Sequence, residues 1–147
     1  LLSVKNASPL ITNSIFEQSQ NDGINLFGSN SNVRLNIFNK NNGSAFSSFG
    51  KFGEYIDNSG SQNGINGIVL DSDVSATNDN IILRKNILPY VINSSSLNIA
   101  TSSTLSIEPG VALKFNNNGI SVKGIFNVIG DETNKILWVI PGTSTKQ

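Results

Sequence analysis

The chain has 147 residues with ten Lys and Arg against ten Asp and Glu, and therefore carries no net charge. A neutral chain without a cluster of either sign argues against nucleic acid as a partner. Because Cys, His and Met are absent, disulfides, thiol nucleophiles, Cys/His zinc sites and histidine general bases are excluded.

The composition predicts an all-β protein built from short strands. The chain contains 23 Asn, 21 Ser and 18 Ile, which favour turns and β strands over helices. No run of 18 apolar residues is present, so membrane insertion is not expected. A cysteine-free chain rich in Asn and Ser is typical of an exported bacterial protein, and we expect an extracellular or cell-surface location.

The first half of the chain contains a repeat whose equivalent positions are 22 residues apart. The segment "ITNSIF" (11–16) aligns with "VRLNIF" (33–38), and "NDGINLFGS" (21–29) aligns with "GSAFSSFGK" (43–51). Each segment is a short apolar run that ends at Asn, Gly or Ser, as expected for a strand followed by a turn.

A third repeat follows at the same spacing. The segment "GIVL" (67–70) falls into the phase of the earlier ones, so Ile24, Phe46 and Ile68 are predicted to stack about 4.8 Å apart in successive repeats. The strand expected around residues 55–60 matches the repeat poorly.

Residues 71–87 keep no register with either half, and we predict an irregular connection there. Coils are predicted in residues 1–70 and again in 88–147, with the chain returning to β structure from Asn80. The connection contains Asp71, Asp73 and Asp79 at alternating positions, a spacing that could place oxygen ligands around Ca²⁺.

This acidic pattern has two interpretations. An EF-hand loop requires Gly at its sixth position and Glu at its twelfth, where this chain has Ala76 and Ile82. The favoured interpretation is therefore a solvated linker with Asx turns and no cofactor. The other is a calcium site, with Arg84 and Lys85 near enough to act as a lyase base or to hold a uronate.

The second half has a looser repeat around the sequence "STLSIEPGVALKF" (103–115). Pro109 and Gly110 are predicted to end one strand and redirect the chain into the next. Three pairs of segments align at similar but unequal separations, namely 97–100 with 120–123, 105–107 with 126–128, and 111–115 with 136–140.

A repeat of about 21 to 25 residues that holds two or three short strands predicts one turn of a parallel β-helix, or β-solenoid. Equivalent strands of successive turns would then pair in parallel. Asparagines that recur at the corners are predicted to stack in ladders that satisfy one another's amides without a ligand. These are Asn36, Asn39, Asn41, Asn42 and residues 116–118.

Two stretches carry a family resemblance. The segment "NASPLITNSIFEQSQNDGINLFGS" (6–29) is similar to the short repeat of bacterial and archaeal surface proteins, and residues 88–130 are similar to a segment that opens solenoids in large secreted proteins. At these residues the chain resembles right-handed parallel β-helix proteins of the pectin-lyase-like superfamily. The resemblance implies a right-handed β-helix but no single chemistry, since the superfamily includes lyases, hydrolases, adhesins and stalks.

Three aromatic residues are candidates for carbohydrate contact, because exposed rings stack on sugars. They are Tyr55, Tyr90 and Trp138. Trp138 lies in the apolar segment "KILWVI", which favours burial over a binding platform.

These observations predict a non-catalytic β-solenoid segment of a large secreted or surface protein, acting as a stalk, adhesin or carbohydrate-contacting scaffold. The alternative is part of a polysaccharide lyase or another carbohydrate-active enzyme, which requires acidic and basic residues to converge on one face of neighbouring coils. We further expect both ends to be unfinished and to contact neighbouring coils of a longer polypeptide or end-to-end copies, and polysaccharide is a second candidate partner.

Overall fold

The computed structural model describes residues 1–71, 80–93 and 96–140, and within these ranges the regular structure is entirely β, with no helix. The strands, in chain order, are β1 (Leu2–Lys5), β2 (Leu10–Thr12), β3 (Ile15–Glu17), β4 (Ile24–Phe27), β5 (Asn32–Arg34), β6 (Ile37–Asn39), β7 (Ser44–Phe49), β8 (Glu54–Ile56), β9 (Ser59–Ser61), β10 (Ile65–Leu70), β11 (Asn80–Leu83), β12 (Tyr90–Ile92), β13 (Leu97–Ile99), β14 (Thr104–Ile107), β15 (Ala112–Phe115), β16 (Ile120–Val122), β17 (Ile125–Val128) and β18 (Leu137–Val139).

One seven-stranded parallel sheet runs the length of the molecule, in the order β1, β4, β7, β10, β12, β15, β18. We call each turn of chain that contributes one strand to this sheet a coil. Ile24 pairs with Phe46, and Phe46 pairs with Ile68, so the predicted stack of these three residues is confirmed. The protein is a β-solenoid of about six turns, as the repeats predict.

Two further walls complete the first three coils. The strands β2, β5 and β8 form one parallel sheet, and β3, β6 and β9 form the other. Residues around Tyr55 and Gly60, which match the sequence repeat poorly, still keep the register: Tyr55 pairs with Val33 and Gly60 pairs with Phe38. Backbone pairing therefore survives where the side chain at the repeat position changes.

The cross-section changes in the second half. There the walls are the sheets β11-β14-β17 and β13-β16, and β8 contacts β11 without joining it in one sheet. The predicted alignments of the second half are confirmed, since Leu97 pairs with Ile120 and Leu105 pairs with Phe126. The register of the main sheet also passes across the predicted connection, because Ile68 pairs with Tyr90.

A continuous hydrophobic core fills the solenoid. Alternation along several strands places one side chain in two inside, as in β14, where Leu105 and Ile107 are buried between half-buried neighbours. The same core includes Phe38, Phe46 and Tyr55, whose rings lie 5.1 to 5.3 Å apart in successive contacts. Each coil therefore buries its apolar face against the coils on either side.

The corners of the first coils depend on left-handed backbone. Residues with φ between 50° and 82° recur at the repeat spacing in three rows, namely Asn6, Gly28 and Gly50; Asn13, Leu35 and Asp57; and Gln18, Lys40 and Gln62. In the second half Gly110 has φ 79° and follows Pro109, and the amide of Val111 donates to the carbonyl of Glu108 at 3.3 Å. This is the predicted turn between β14 and β15.

Candidate functional site

A column of buried asparagines runs along one corner of the solenoid. We call Asn36, Asn58 and Asn86 the first asparagine ladder. Asn58 Nδ2 donates to Asn86 Oδ1 at 3.1 Å and to the Val33 carbonyl at 2.8 Å. Asn58 Oδ1 accepts from the side chain and the backbone amide of Asn36, at 3.1 and 3.2 Å. The amide groups thus satisfy one another between coils and leave little for a ligand.

A second asparagine ladder, formed by Asn41, Asn63 and Asn66, lies at another corner. Asn41 Nδ2 donates to Asn63 Oδ1 at 2.8 Å, and Asn63 Nδ2 donates to Asn66 Oδ1 at 3.1 Å. The prediction of asparagine ladders is therefore confirmed for Asn36 and Asn41. The sequence pattern did not single out Asn58, Asn63 or Asn86, which bond between coils in the same way, or Asn66, which accepts from Asn63 within one coil.

The two tyrosines proposed for carbohydrate contact lie inside the molecule. Tyr55 and Tyr90 are each 1% exposed, so neither ring offers a face to solvent. The Tyr55 hydroxyl lies 2.7 Å from Ser48 Oγ, and the Tyr90 hydroxyl donates to the Arg84 carbonyl at 2.9 Å. Burial raises the pKa of both phenols above their ordinary value.

The third aromatic candidate lies at the surface. Trp138 is 42% exposed although its sequence context favours burial. Its ring stacks on Phe115 with centroids 5.5 Å apart and meets Phe126 edge-on at 6.4 Å. Together with Ile120 and Ile140 these rings line an open groove of about 330 Å³, which we call the aromatic groove. Trp138 is exposed because β18 is the last strand of its sheet among the described residues.

A row of alternating charges crosses four coils on one wall. We call Arg34, Glu54, Arg84 and Glu108 the charged row. Glu54 accepts from Arg34 Nη2 at 3.1 Å and from Arg84 Nη2 at 2.9 Å, one on each carboxylate oxygen. Arg84 Nη1 also donates to Glu108. The hydrogen bond to Glu54 is the main reason that the pKa of Arg84 is raised.

The charged row bridges the point where the wall changes from one sheet to the next. Arg84 follows β11, while Glu54 begins β8, and these strands belong to separate sheets. Beside Glu54 the gap leaves a pocket of about 220 Å³, which is also lined by Asn30, Phe52, Gly53 and residues 80–82. Acidic and basic groups therefore converge on one face of neighbouring coils, but they are bonded to one another.

Of the three predicted calcium ligands, only Asp71 lies within the described residues; Asp73 and Asp79 lie outside them. The backbone amide of Asp71 donates to the Ser48 carbonyl at 3.1 Å, at the end of β10. Among residues 1–71, 80–93 and 96–140, no three carboxylates come together in a way that could hold a metal ion.

Comparisons of the chain with protein-family models, with curated proteins and with solved structures found no match. The resemblance to the pectin-lyase-like superfamily therefore rests on the sequence segments alone. In the part of the chain that the structure describes, no helix has the length and the apolar character needed to cross a membrane.

Proposed function

We propose that the chain is a non-catalytic β-solenoid segment of a secreted or cell-surface protein and acts as a rigid scaffold. The observation that carries this proposal is the bonding between coils. Both asparagine ladders and the charged row join side chains of successive coils to one another, in addition to the backbone pairing. Polar groups used in this way stabilise a column, and a column is suited to hold a binding surface at a distance.

The aromatic groove is the best candidate for carbohydrate contact. The rings of Phe126 and Trp138 are apolar and partly exposed, and Asn118 adds an amide at the edge that could bond a sugar hydroxyl. Affinity electrophoresis in gels that contain neutral or acidic polysaccharides tests this proposal. Retardation that is lost in Trp138→Ala and kept in Phe27→Ala supports it, since Phe27 is 39% exposed on another part of the surface. Equal mobility with and without polysaccharide contradicts carbohydrate contact.

A carbohydrate-active enzyme is the second candidate, favoured by the convergence of the charged row beside a pocket. Against it, both oxygens of Glu54 already accept hydrogen bonds from arginines. Incubation with uronate polysaccharides should yield no unsaturated products and no new reducing ends. Product formation that is lost in Arg84→Gln would replace the scaffold proposal with the lyase alternative.

Calcium provides a separate prediction for residues 71–79. If this stretch is a linker, Ca²⁺ at about millimolar concentration leaves the melting temperature unchanged, because a ligand stabilises a protein only by binding its folded state more tightly. Differential scanning fluorimetry with and without EDTA measures this. A calcium-dependent rise of several degrees that Asp73→Ala abolishes would establish a metal site.

The edges of the end coils support a proposal about assembly. Among the described strands, β1 and β18 each pair on one side only, and Leu10, Ile15 and Leu137 are more than half exposed. We propose that these edges pair in parallel with a second copy, end to end. Sedimentation velocity over a range of concentrations should show association, whereas a single monomeric species at all concentrations would contradict it.

A further inference from the structure

The sequence contains four Asn-Gly pairs, at Asn42, Asn63, Asn66 and Asn118. An asparagine before glycine is prone to deamidation, because glycine has no side chain to hinder the attack of its own amide nitrogen on the asparagine carboxamide. The rate in a folded protein depends on whether that glycine amide is held by a hydrogen bond and whether the segment has room to move. The structure separates Gly119 from Gly43 and Gly64 by the hydrogen bond of the amide, and from all three other glycines by the space around the residue.

Three pairs are held by the solenoid. The Gly43 amide donates to the Asn21 carbonyl at 3.0 Å, and the Gly64 amide donates to the Asn41 carbonyl at 2.9 Å. Gly67 is buried within β10, where a Cβ would lie 2.4 Å from a Val91 methyl group. Attack by any of these nitrogens requires the contact between two coils to open first.

The fourth pair is different. No described residue accepts a hydrogen bond from the Gly119 amide, and a Cβ built on Gly119 would meet no atom within 4 Å. The pair lies between β15 and β16, two residues after Asn116, and Asn117 has left-handed backbone with φ 60°. The nitrogen that must react is therefore unprotected by the described residues, in a segment with space around it.

We propose that Asn118 is the preferred site of spontaneous deamidation in this protein. The Gly119 nitrogen, after loss of its proton to solvent base, forms a bond to Asn118 Cγ, and the bond from Cγ to Nδ2 breaks with release of ammonia. Water then opens the resulting succinimide at either carbonyl and leaves aspartate or isoaspartate. No other reactant is needed.

The modification changes a contact between two coils. Asn118 Nδ2 donates to the Asn93 carbonyl at 2.9 Å and to the Asn116 carbonyl at 3.1 Å. A carboxylate has no hydrogen to donate at neutral pH and would face both carbonyl oxygens instead. Because Asn118 and Gly119 also line the aromatic groove, deamidation puts a negative charge at the edge of that groove.

Peptide mapping by mass spectrometry tests the proposal on the full chain, incubated at mildly alkaline pH in native buffer and, separately, in denaturant. In native buffer Asn118 should convert at least about tenfold faster than Asn42 and Asn63, whose glycine amides exchange only on opening. In denaturant the four sites should react at similar rates, which shows that the fold sets the order.

Two variants complete the test. Gly119→Ala should slow conversion of Asn118 by about tenfold or more, because a β-carbon then hinders the attacking nitrogen. Asn42→Gln should leave the rate at Asn118 unchanged. Conversion of Asn42 or Asn63 as fast as that of Asn118 in native buffer would overturn the proposal.

Discussion

At the scale of single residues, the corners combine unusual backbone with buried amides. Leu35 and Lys40 adopt left-handed backbone, which costs a residue other than glycine about 1 kcal/mol or more. These conformations persist because the amides of the same residues bond between coils: the Leu35 amide donates to the Ile56 carbonyl and the Lys40 amide donates to the Ser61 carbonyl. Repeated bonds between coils therefore hold the turn that each residue alone would avoid.

The first asparagine ladder provides the sharpest stability prediction. Asn58→Ala removes the acceptor of Asn36 and leaves the buried Val33 carbonyl without its side-chain donor, so we expect a loss of about 2–4 kcal/mol in the free energy of unfolding. Urea denaturation measures the change. The control is Asn42→Ala, at an exposed corner, which should change stability by less than about 0.5 kcal/mol. Equal effects of the two substitutions would contradict the ladder.

The buried phenols predict an unusual alkaline titration. Because burial raises the pKa of Tyr55 and Tyr90, and the chain has only these 2 tyrosines, the native protein should develop tyrosinate absorbance only at a higher pH than an ordinary tyrosine does. The protein in denaturant should titrate near pH 10. Since both folded pKa values are raised, the stability from keeping the phenols neutral is complete below about pH 10 and falls as the pH rises further. A native titration near the ordinary value would show that the rings are accessible.

At the scale of strands and turns, register depends on the backbone more than on any one side chain. The repeats in the sequence were enough to predict the pairing of β4 with β7 and of β13 with β16. They failed for β8 and β9, because Gly60 stands where the pattern requires a Phe. The strand β9 still pairs with β6, since Ser59 and Ser61 keep the register on either side of Gly60.

The charged row could not be predicted by the same reasoning. Glu54 and Arg84 are 30 positions apart, and Arg84 follows a strand of a different sheet, so no periodicity brings them together. The separation of Glu54 and Arg84 along the sequence follows from the change in cross-section between the third and fourth coils. The left-handed corners were also missed, because Leu, Lys and Gln have little preference for that conformation.

The turn between β17 and β18 predicts that the stability of the protein depends on pH in the acid range. The exposed Asp131 carboxylate accepts hydrogen bonds from the backbone amides of Asn134 and Thr133, which lowers its pKa from 3.8 to about 2. Because the folded pKa is lowered, the stability it contributes is present above about pH 4 and is lost as the pH falls through about 2.

Comparison of Asp131→Ala with the unchanged protein checks this dependence. Their urea midpoints should differ at neutral pH and converge as the pH falls from about 4 to about 2. Glu132→Ala, which changes a neighbouring exposed carboxylate, should show no such convergence. A difference between Asp131→Ala and the unchanged protein that is constant with pH would mean that the carboxylate does not hold the turn.

At the scale of the whole molecule, stacking of similar coils gives one continuous core. The class of fold and the length of the coil were predictable from the sequence because apolar residues recur at the repeat spacing. The candidate surfaces were less predictable. Trp138 is exposed on the last described strand of the seven-stranded sheet, whereas the side chains of Tyr55 and Tyr90 point into the core of the solenoid.

Successive coils stack in parallel in the first half of the chain, each in register with the next, and the fold and the proposed scaffold role both depend on this register. Nuclear Overhauser contacts in a sample labelled at isoleucine and phenylalanine test it most directly. We predict contacts from the Phe46 ring to the methyl groups of both Ile24 and Ile68, its partners in the coils on either side. Contacts of Phe46 with residues displaced by one position from these partners, or with only one of the two, would contradict the solenoid register.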